Sequence, residues 1–256
     1  MEPIISTKDL MRTFGGVTAL NLVSLDIYDK QLRSIIGPNG AGKTTLINVI
    51  TGKLGASGGE VFYRGQPITN YSVHKRVRMG ICRTFQINSI FMGLTVYENI
   101  RIATQLHLGG SGRVFARRTS LKKVNQEAES IVDRLNLNEV AYQSVGNLAY
   151  GDQRLVEVGI ALACDPKVLL LDEPTAGMSP KETRHIARLI QELAKEVAVV
   201  LVEHDVELVM TISDRLTVLH QGGIIAEGPP QEISNNCDVK DAYLGSTKWA
   251  PLLETD

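Results

Sequence analysis

Residues 37–44 read GPNGAGKT, preceded by the short apolar run Arg33–Ile36 and followed by Leu46, Ile47, Val49 and Ile50 spaced along one helical face. The stretch fits G-x-x-x-x-G-K-[ST] between a strand and a helix. Gly37, Gly40 and Gly42 let the backbone curl so that successive N–H groups point inward. Pro38, Asn39 and Ala41 lie between them, and Thr45 extends the turn into the helix. That helix offers its positive N-terminus to the same anion. Lys43 supplies a point charge for the β- and γ-phosphates of a nucleotide, and the Thr44 hydroxyl is a ligand for Mg²⁺. Gly52 is the expected stop of the helix.

Working outward, Val168–Leu171 is a second buried strand that runs into Asp172 and Glu173. Acids at the C-terminal edge of a parallel sheet sit where ligands of such folds bind. Asp172 is therefore a candidate to hold Mg²⁺ through water, and Glu173 to accept a proton from the attacking water.

Ser179-Pro180-Lys181-Glu182 has the form of a capping box with proline at the first helical position, and Ile186, Leu189, Ile190 and Leu193 give the helix its buried stripe. A strand over Val197–Val202, a short helix, and a strand over Leu216–Leu219 with a Gly222-Gly223 turn follow. Strand and helix in alternation imply a parallel sheet covered by helices. Before the cradle, apolar and polar residues alternate around Gly15-Gly16, which predicts antiparallel strands. Residues 87–163 carry helical periodicity (Val124, Ala128, Ile131, Val132, Leu135) and the basic stretch LGGSGRVFARRTSLKK.

The chain has 256 residues, 43% of them hydrophobic, and a formal net charge of −1 with both signs interspersed, which gives no basis for bulk nucleic-acid binding. Cys82, Cys164 and Cys237 have no CxxC or Cys/His spacing and read as reduced thiols. The start, MEPIISTKDL, lacks the pattern of a signal peptide, and no apolar run approaches the ~20 residues needed to span a bilayer. A membrane role would be played from the water side.

A cradle and a paired acid occur in many phosphate-handling proteins. More discriminating are LAYGDQR at 148–154, LLLDEPTAG at 169–177, Gln86 in RTFQ and His204 in LVEHD. With GPNGAGKT, and in this order and spacing, they resemble the ABC ATPase family over about residues 4–245. The resemblance implies an α/β fold: a RecA-like P-loop ATPase core (1–86 and 164–240) with an antiparallel β subdomain, an inserted helical subdomain (87–163) and a C-terminal tail (241–256). It implies ATP and Mg²⁺ as ligands.

Position by position, Phe14 matches the aromatic that stacks on adenine, with a hairpin or core phenylalanine as the alternative. Gln86 matches the glutamine that touches Mg²⁺ and water and links the site to the membrane part. His204 matches the switch histidine at the γ-phosphate. Ala149, Tyr150, Gly151, Asp152 and Gln153 match the signature loop, which in this family closes over ATP held by a second subunit. Ala149 departs from the family's usual serine and Ser179 from the aspartate that many relatives have, and a heterodimer with unequal sites is one reading.

FGGVTAL, GICRTFQ, TVYENI and NNCDVKDAYLG resemble the ATP-binding subunit of branched-chain amino acid importers. Importers for amides or urea and lipopolysaccharide-export ATPases share parts of these, and a soluble ABC ATPase is a further alternative. The implied partners are a second ATP-binding subunit, a transmembrane permease and, indirectly, an extracytoplasmic solute-binding protein. The implied location is the cytoplasmic face of the cell membrane. The basic residues Arg113, Arg117, Arg118, Lys122 and Lys123 face either the membrane or permease, or simply solvent.

Overall fold

The computed structural model describes residues 2–84, 90–109 and 118–243. Strands β1 (Ile5–Phe14) and β2 (Val17–Ile27) pair antiparallel about Gly15-Gly16, and β4 (Gly58–Tyr63) and β5 (Gln66–Pro67) extend them into a sheet ordered β2-β1-β4-β5. The second sheet contains β3 (Leu32–Ile36), β6 (Ile81–Arg83), β7 (Val168–Asp172), β8 (Ala198–Val202), β9 (Arg215–His220) and β10 (Gly223–Gly228). Its order is β10-β9-β3-β8-β7-β6, parallel except for β10. This order puts the C-terminal ends of β3, β8 and β7 side by side.

The core strands are apolar on both faces, as buried parallel strands must be. Successive residues face opposite sides. Leu169 and Leu171 of β7, with Val199 and Leu201 of β8, join one apolar cluster. Val168 and Leu170, with Ala198, Val200 and Val202, join the other. Each such valine or leucine contributes ~1.5–3 kcal/mol by burial. The first cluster also takes in α3 (Val96–Gly109), α4 (Arg118–Arg134), α5 (Tyr150–Leu162) and α6 (Pro180–Ala194). The second takes in α1 (Lys43–Ile50) and the antiparallel sheet.

Ser179 closes the expected capping box at α6, accepting from Glu182 N while Glu182 accepts from Ser179 N. After α2 (Val73–Arg78) and α7 (Val206–Ile212), the chain ends its described course in α8 (Pro230–Asn235) and α9 (Cys237–Tyr243). α9 reaches Tyr243, buried among apolar neighbours, so the core takes in the first residues of the segment 241–256 expected as a tail, and the rest of that segment lies outside the described residues. Lys122 and Lys123 are exposed on α4, whereas Arg113 and Arg117 lie outside the described residues. No helix among the described residues is long and apolar enough to cross a membrane.

Candidate active site

The loop 37–42 leaves β3 and enters α1 with Gly42 at φ 103°, a left-handed conformation suited to glycine. A side chain there would meet Ala19 O at 2.4 Å, and one at Gly37 would meet Leu219 O at 2.1 Å. The loop is thus wedged between β2 and the end of β9, and Ala41 O also accepts from Gly222 N at 3.0 Å. Lys43 is only 6% exposed, and its ammonium donates to Gly37 O at 2.7 Å and Pro38 O at 3.1 Å. Those bonds hold the charge over the curl of the loop. Thr44 is exposed and Thr45 half-buried in the first turn of α1.

α9 reaches this loop from behind. Burial pushes the Tyr243 hydroxyl well above its ordinary range, against the hydrogen bond it shares with the Gly37 backbone.

β7 ends at Asp172, whose side chain is 6% exposed. Its Oδ2 accepts from Arg83 Nη2 at 2.6 Å, and among the described residues its buried Oδ1 has no hydrogen-bond partner. Glu173 follows at φ 50°, with its N–H donated to Val202 O at 2.8 Å. A non-glycine residue in this region is strained, and such strain concentrates at functional sites. One strand over, His204 stands just beyond β8, and its Nε2 lies 2.7 Å from Glu173 Oε1. Both side chains border a cleft of about 420 Å³ with Thr175, Met178, Thr183 and Asp205.

Glu203, 4% exposed, ties the two loops together. Its Oε1 accepts from Thr175 N at 2.9 Å and Oγ1 at 2.7 Å, and its Oε2 from His204 N at 3.2 Å. Burial raises its carboxyl above the ordinary range, and the bonds from Thr175 and His204 pull it back only in part.

Phe14 closes β1 and is 42% exposed, so it is not a core residue; the Arg12 guanidinium covers its ring at 4.5 Å. Ala149 is the N-cap of α5 and provides no side-chain hydrogen bond to the first turn. Tyr150 Oη accepts from Arg154 Nη2 at 2.7 Å, Gln153 Nε2 donates to Leu148 O at 3.1 Å, and Asp152 lies in the first turn. Gly151 packs against the Glu182 carboxylate, close enough that a Cβ would lie 2.6 Å from it. Gln86 lies outside the described residues.

The cradle, Asp172, Glu173 and His204 therefore share one sheet edge, while the residues of 149–153 bond within α5 and the turn before it. Arg83, Glu203 and Tyr243 are additions that motif reading missed. Arg83 and Glu203 did have a visible signal, a charge at the end of an apolar strand beside a motif residue.

A family model described as ABC transporter matches residues 20–176, and one described as branched-chain amino acid ATP-binding cassette transporter matches residues 224–248. The high-affinity branched-chain amino acid transport ATP-binding protein BraF of Pseudomonas aeruginosa is 42% identical, with 95% of this chain and 98% of BraF covered. LivG of Escherichia coli, of the same description, is 41% identical with the same coverage, 95% and 98%. A solved ADP conformation of an ATP-binding cassette of an ABC transporter aligns at a TM-score of 0.81 and 32% identity, over 96% of this chain and 100% of that one. The chain belongs to the ABC transporter family, as one of its ATP-binding, ATP-hydrolysing cassettes.

Proposed function

We propose that this cassette drives a membrane permease that imports branched-chain amino acids. It would work as one half of a homo- or heteromeric pair at the cytoplasmic membrane face. The observation that carries the ATPase chemistry is the contact of Glu173 with His204 beside the wedged phosphate loop. The substrate class rests on likeness to BraF and LivG and on the matched segment 224–248. An extracytoplasmic binding protein would deliver the solute to the permease.

The triphosphate lies along residues 37–45, with Lys43 swinging from Gly37 O and Pro38 O to the β- and γ-phosphates. Phe14 stacks on the adenine, its exposed ring and its Arg12 neighbour leaving one face for the base. Glu173 takes a proton from water as the water oxygen attacks the γ-phosphorus. The bond to the bridging oxygen breaks, and ADP and phosphate leave. His204 orients Glu173 and meets the γ-phosphate.

The buried Oδ1 of Asp172, without a hydrogen-bond partner among the described residues, and the exposed Thr44 hydroxyl suit a hard cation that takes oxygen ligands. Thr44, Asp172 and Gln86 would hold Mg²⁺, which when bound neutralises charge on the β- and γ-phosphates. The uncapped first turn of α5 supports the reading that residues 149–153 close over ATP on the other subunit, using backbone donors. Phe91 is 58% and Tyr142 78% exposed, and Tyr142 packs on Tyr97 with ring centroids 5.9 Å apart. Aromatic surface of this kind fits a protein interface, here the permease.

Reconstitution with the cognate permease and a panel of radiolabelled amino acids tests the proposal. ATP-dependent uptake of leucine, isoleucine or valine is expected, and uptake restricted to amides or urea would refute the substrate class. Lys43→Ala should abolish nucleotide binding, and wild-type affinity in that variant would mean the cradle is misassigned.

A further inference from the structure

Arg83 is the last residue of β6, the strand at the edge of the parallel sheet, and stands opposite Leu170 of β7. Its side chain is 10% exposed and its guanidinium spans two elements. Nη2 donates to Asp172 Oδ2 at 2.6 Å, and Nη1 donates to Asn48 Oδ1 at 2.5 Å. Asn48 belongs to α1, where it follows Thr44 at the i, i+4 spacing that places two residues on one helical face. One planar, five-donor group therefore links the helix that carries Thr44 to the strand end that carries Asp172.

Asp172 is asymmetric as a result. One oxygen is held by a charge-assisted bond, and the other is buried without a partner among the described residues. A carboxylate pinned at Oδ2 keeps Oδ1 as its uncommitted oxygen for a metal or a metal-bound water. A buried acid without a counter-charge is also expensive to keep in place.

We infer that Arg83 is a positioning residue for the metal end of the site: it fixes Asp172 against α1 so that Oδ1 and the Thr44 hydroxyl are held in a common frame. The inference rests on the proposed Mg²⁺ role of Asp172 and Thr44. It differs from a purely structural role in one consequence, namely that loss of Arg83 must act on the metal-dependent part of nucleotide binding and not on the cradle.

The test is calorimetric titration of full-length protein with ADP, in Mg²⁺ and in EDTA, for wild type, Arg83→Met, Arg83→Lys, Asp172→Asn and the Arg83→Met/Asp172→Asn double variant. No turnover is read. Losses of supporting groups around metal ligands run to ~10–100-fold in metal affinity. Arg83→Met is expected to keep its EDTA affinity within about twofold of wild type and to lose roughly tenfold of the Mg²⁺-dependent gain. Arg83→Lys, which keeps the charge but not the fork, should fall between, and it serves alone if the methionine variant does not fold. The double variant should lose no more than Asp172→Asn.

Equal loss in EDTA and Mg²⁺, or additive losses in the double variant, would overturn the role of Arg83. A wild-type gain that Asp172→Asn removes and Arg83→Met leaves intact would sink the Arg83 inference alone. A wild type without any Mg²⁺ gain would remove the metal reading of Asp172, and with it the inference.

Discussion

His204 Nε2 and Glu173 Oε1 are 2.7 Å apart, and the pair is held across the ends of two neighbouring parallel strands by the Glu173 N–H bond to Val202 O. The proposed general base and the side chain proposed to orient it are therefore brought together by strand order, β7 beside β8, and not by proximity in sequence. Glu173→Gln should lower kcat by ~10²–10⁴-fold, the range for removal of a general base, with ATP affinity retained and an ATP-bound dimer accumulating. His204→Ala should also lower kcat. The double variant should be little worse than Glu173→Gln, because groups that act as a unit are not additive. Multiplicative losses in steady-state turnover would show that the two act separately.

Glu203 makes a pH-dependent contribution whose sign follows from its environment. Burial, with a smaller push from Glu173, raises its carboxyl above the ordinary value of 4.5. The folded state then binds a proton that the unfolded state has released. Stability from this group is fully present below about 4.5 and is lost as pH rises through the raised value. Glu203→Gln removes that loss. The melting temperature of wild type relative to the variant should be most favourable near the acid end and decline toward neutral pH. Parallel melting curves across the window would refute it. Glu157, raised by burial in the same direction, leaves some slope in both proteins.

The parts of the molecule that could be read in advance were local. The strand, GPNGAGKT and helix succession, the Asp172-Glu173 strand end and the Ser179 capping box are each fixed by neighbours within a few residues. The exposed ring of Phe14 removes the core reading that spacing left open, while its pairing with Val17 keeps it at the hairpin. The parts that were not legible depend on distant partners. Arg83 meets Asp172 across 89 positions and Glu203 meets Thr175 across 28. No periodicity in either segment carries that information. Tyr243 was missed for the same reason, since its neighbour is the loop at Gly37.

Arg76 illustrates this at the level of stability. It is 1% exposed, and burial lowers its guanidinium to about 10, so it remains a cation at neutral pH. Its donors reach Val49 O and Ile50 O at the end of α1, and Tyr71 O, Ile68 O and Thr69 O beyond β5. The helix that follows the loop 37–42 is thus closed at its C-terminal end by a side chain. Arg76→Met leaves several buried carbonyls unmet, at ~1–3 kcal/mol each, so destabilisation of at least ~3 kcal/mol is expected in urea unfolding. Arg76→Lys, with three donors against five, should recover part of it. A loss below ~1 kcal/mol for the methionine variant would mean that the carbonyls find other partners.

Ser179 departs from the aspartate that the family resemblance led one to expect, and the structure gives it a local task. Its Oγ accepts from Glu182 N, and Glu182 returns a bond to Ser179 N at 2.8 Å, so two amides that α6 leaves open are satisfied. Ser179→Ala should therefore destabilise the protein by ~1 kcal/mol, as cap removal does. Ser179→Asp keeps an acceptor at the cap but sets a second carboxylate beside Glu182, and should fall between wild type and alanine. If the departure at this position serves the cap alone, neither change alters ATP turnover in the assembled transporter once thermal losses are corrected. A turnover difference between the two variants at equal stability would assign Ser179 a part in communication between the paired sites.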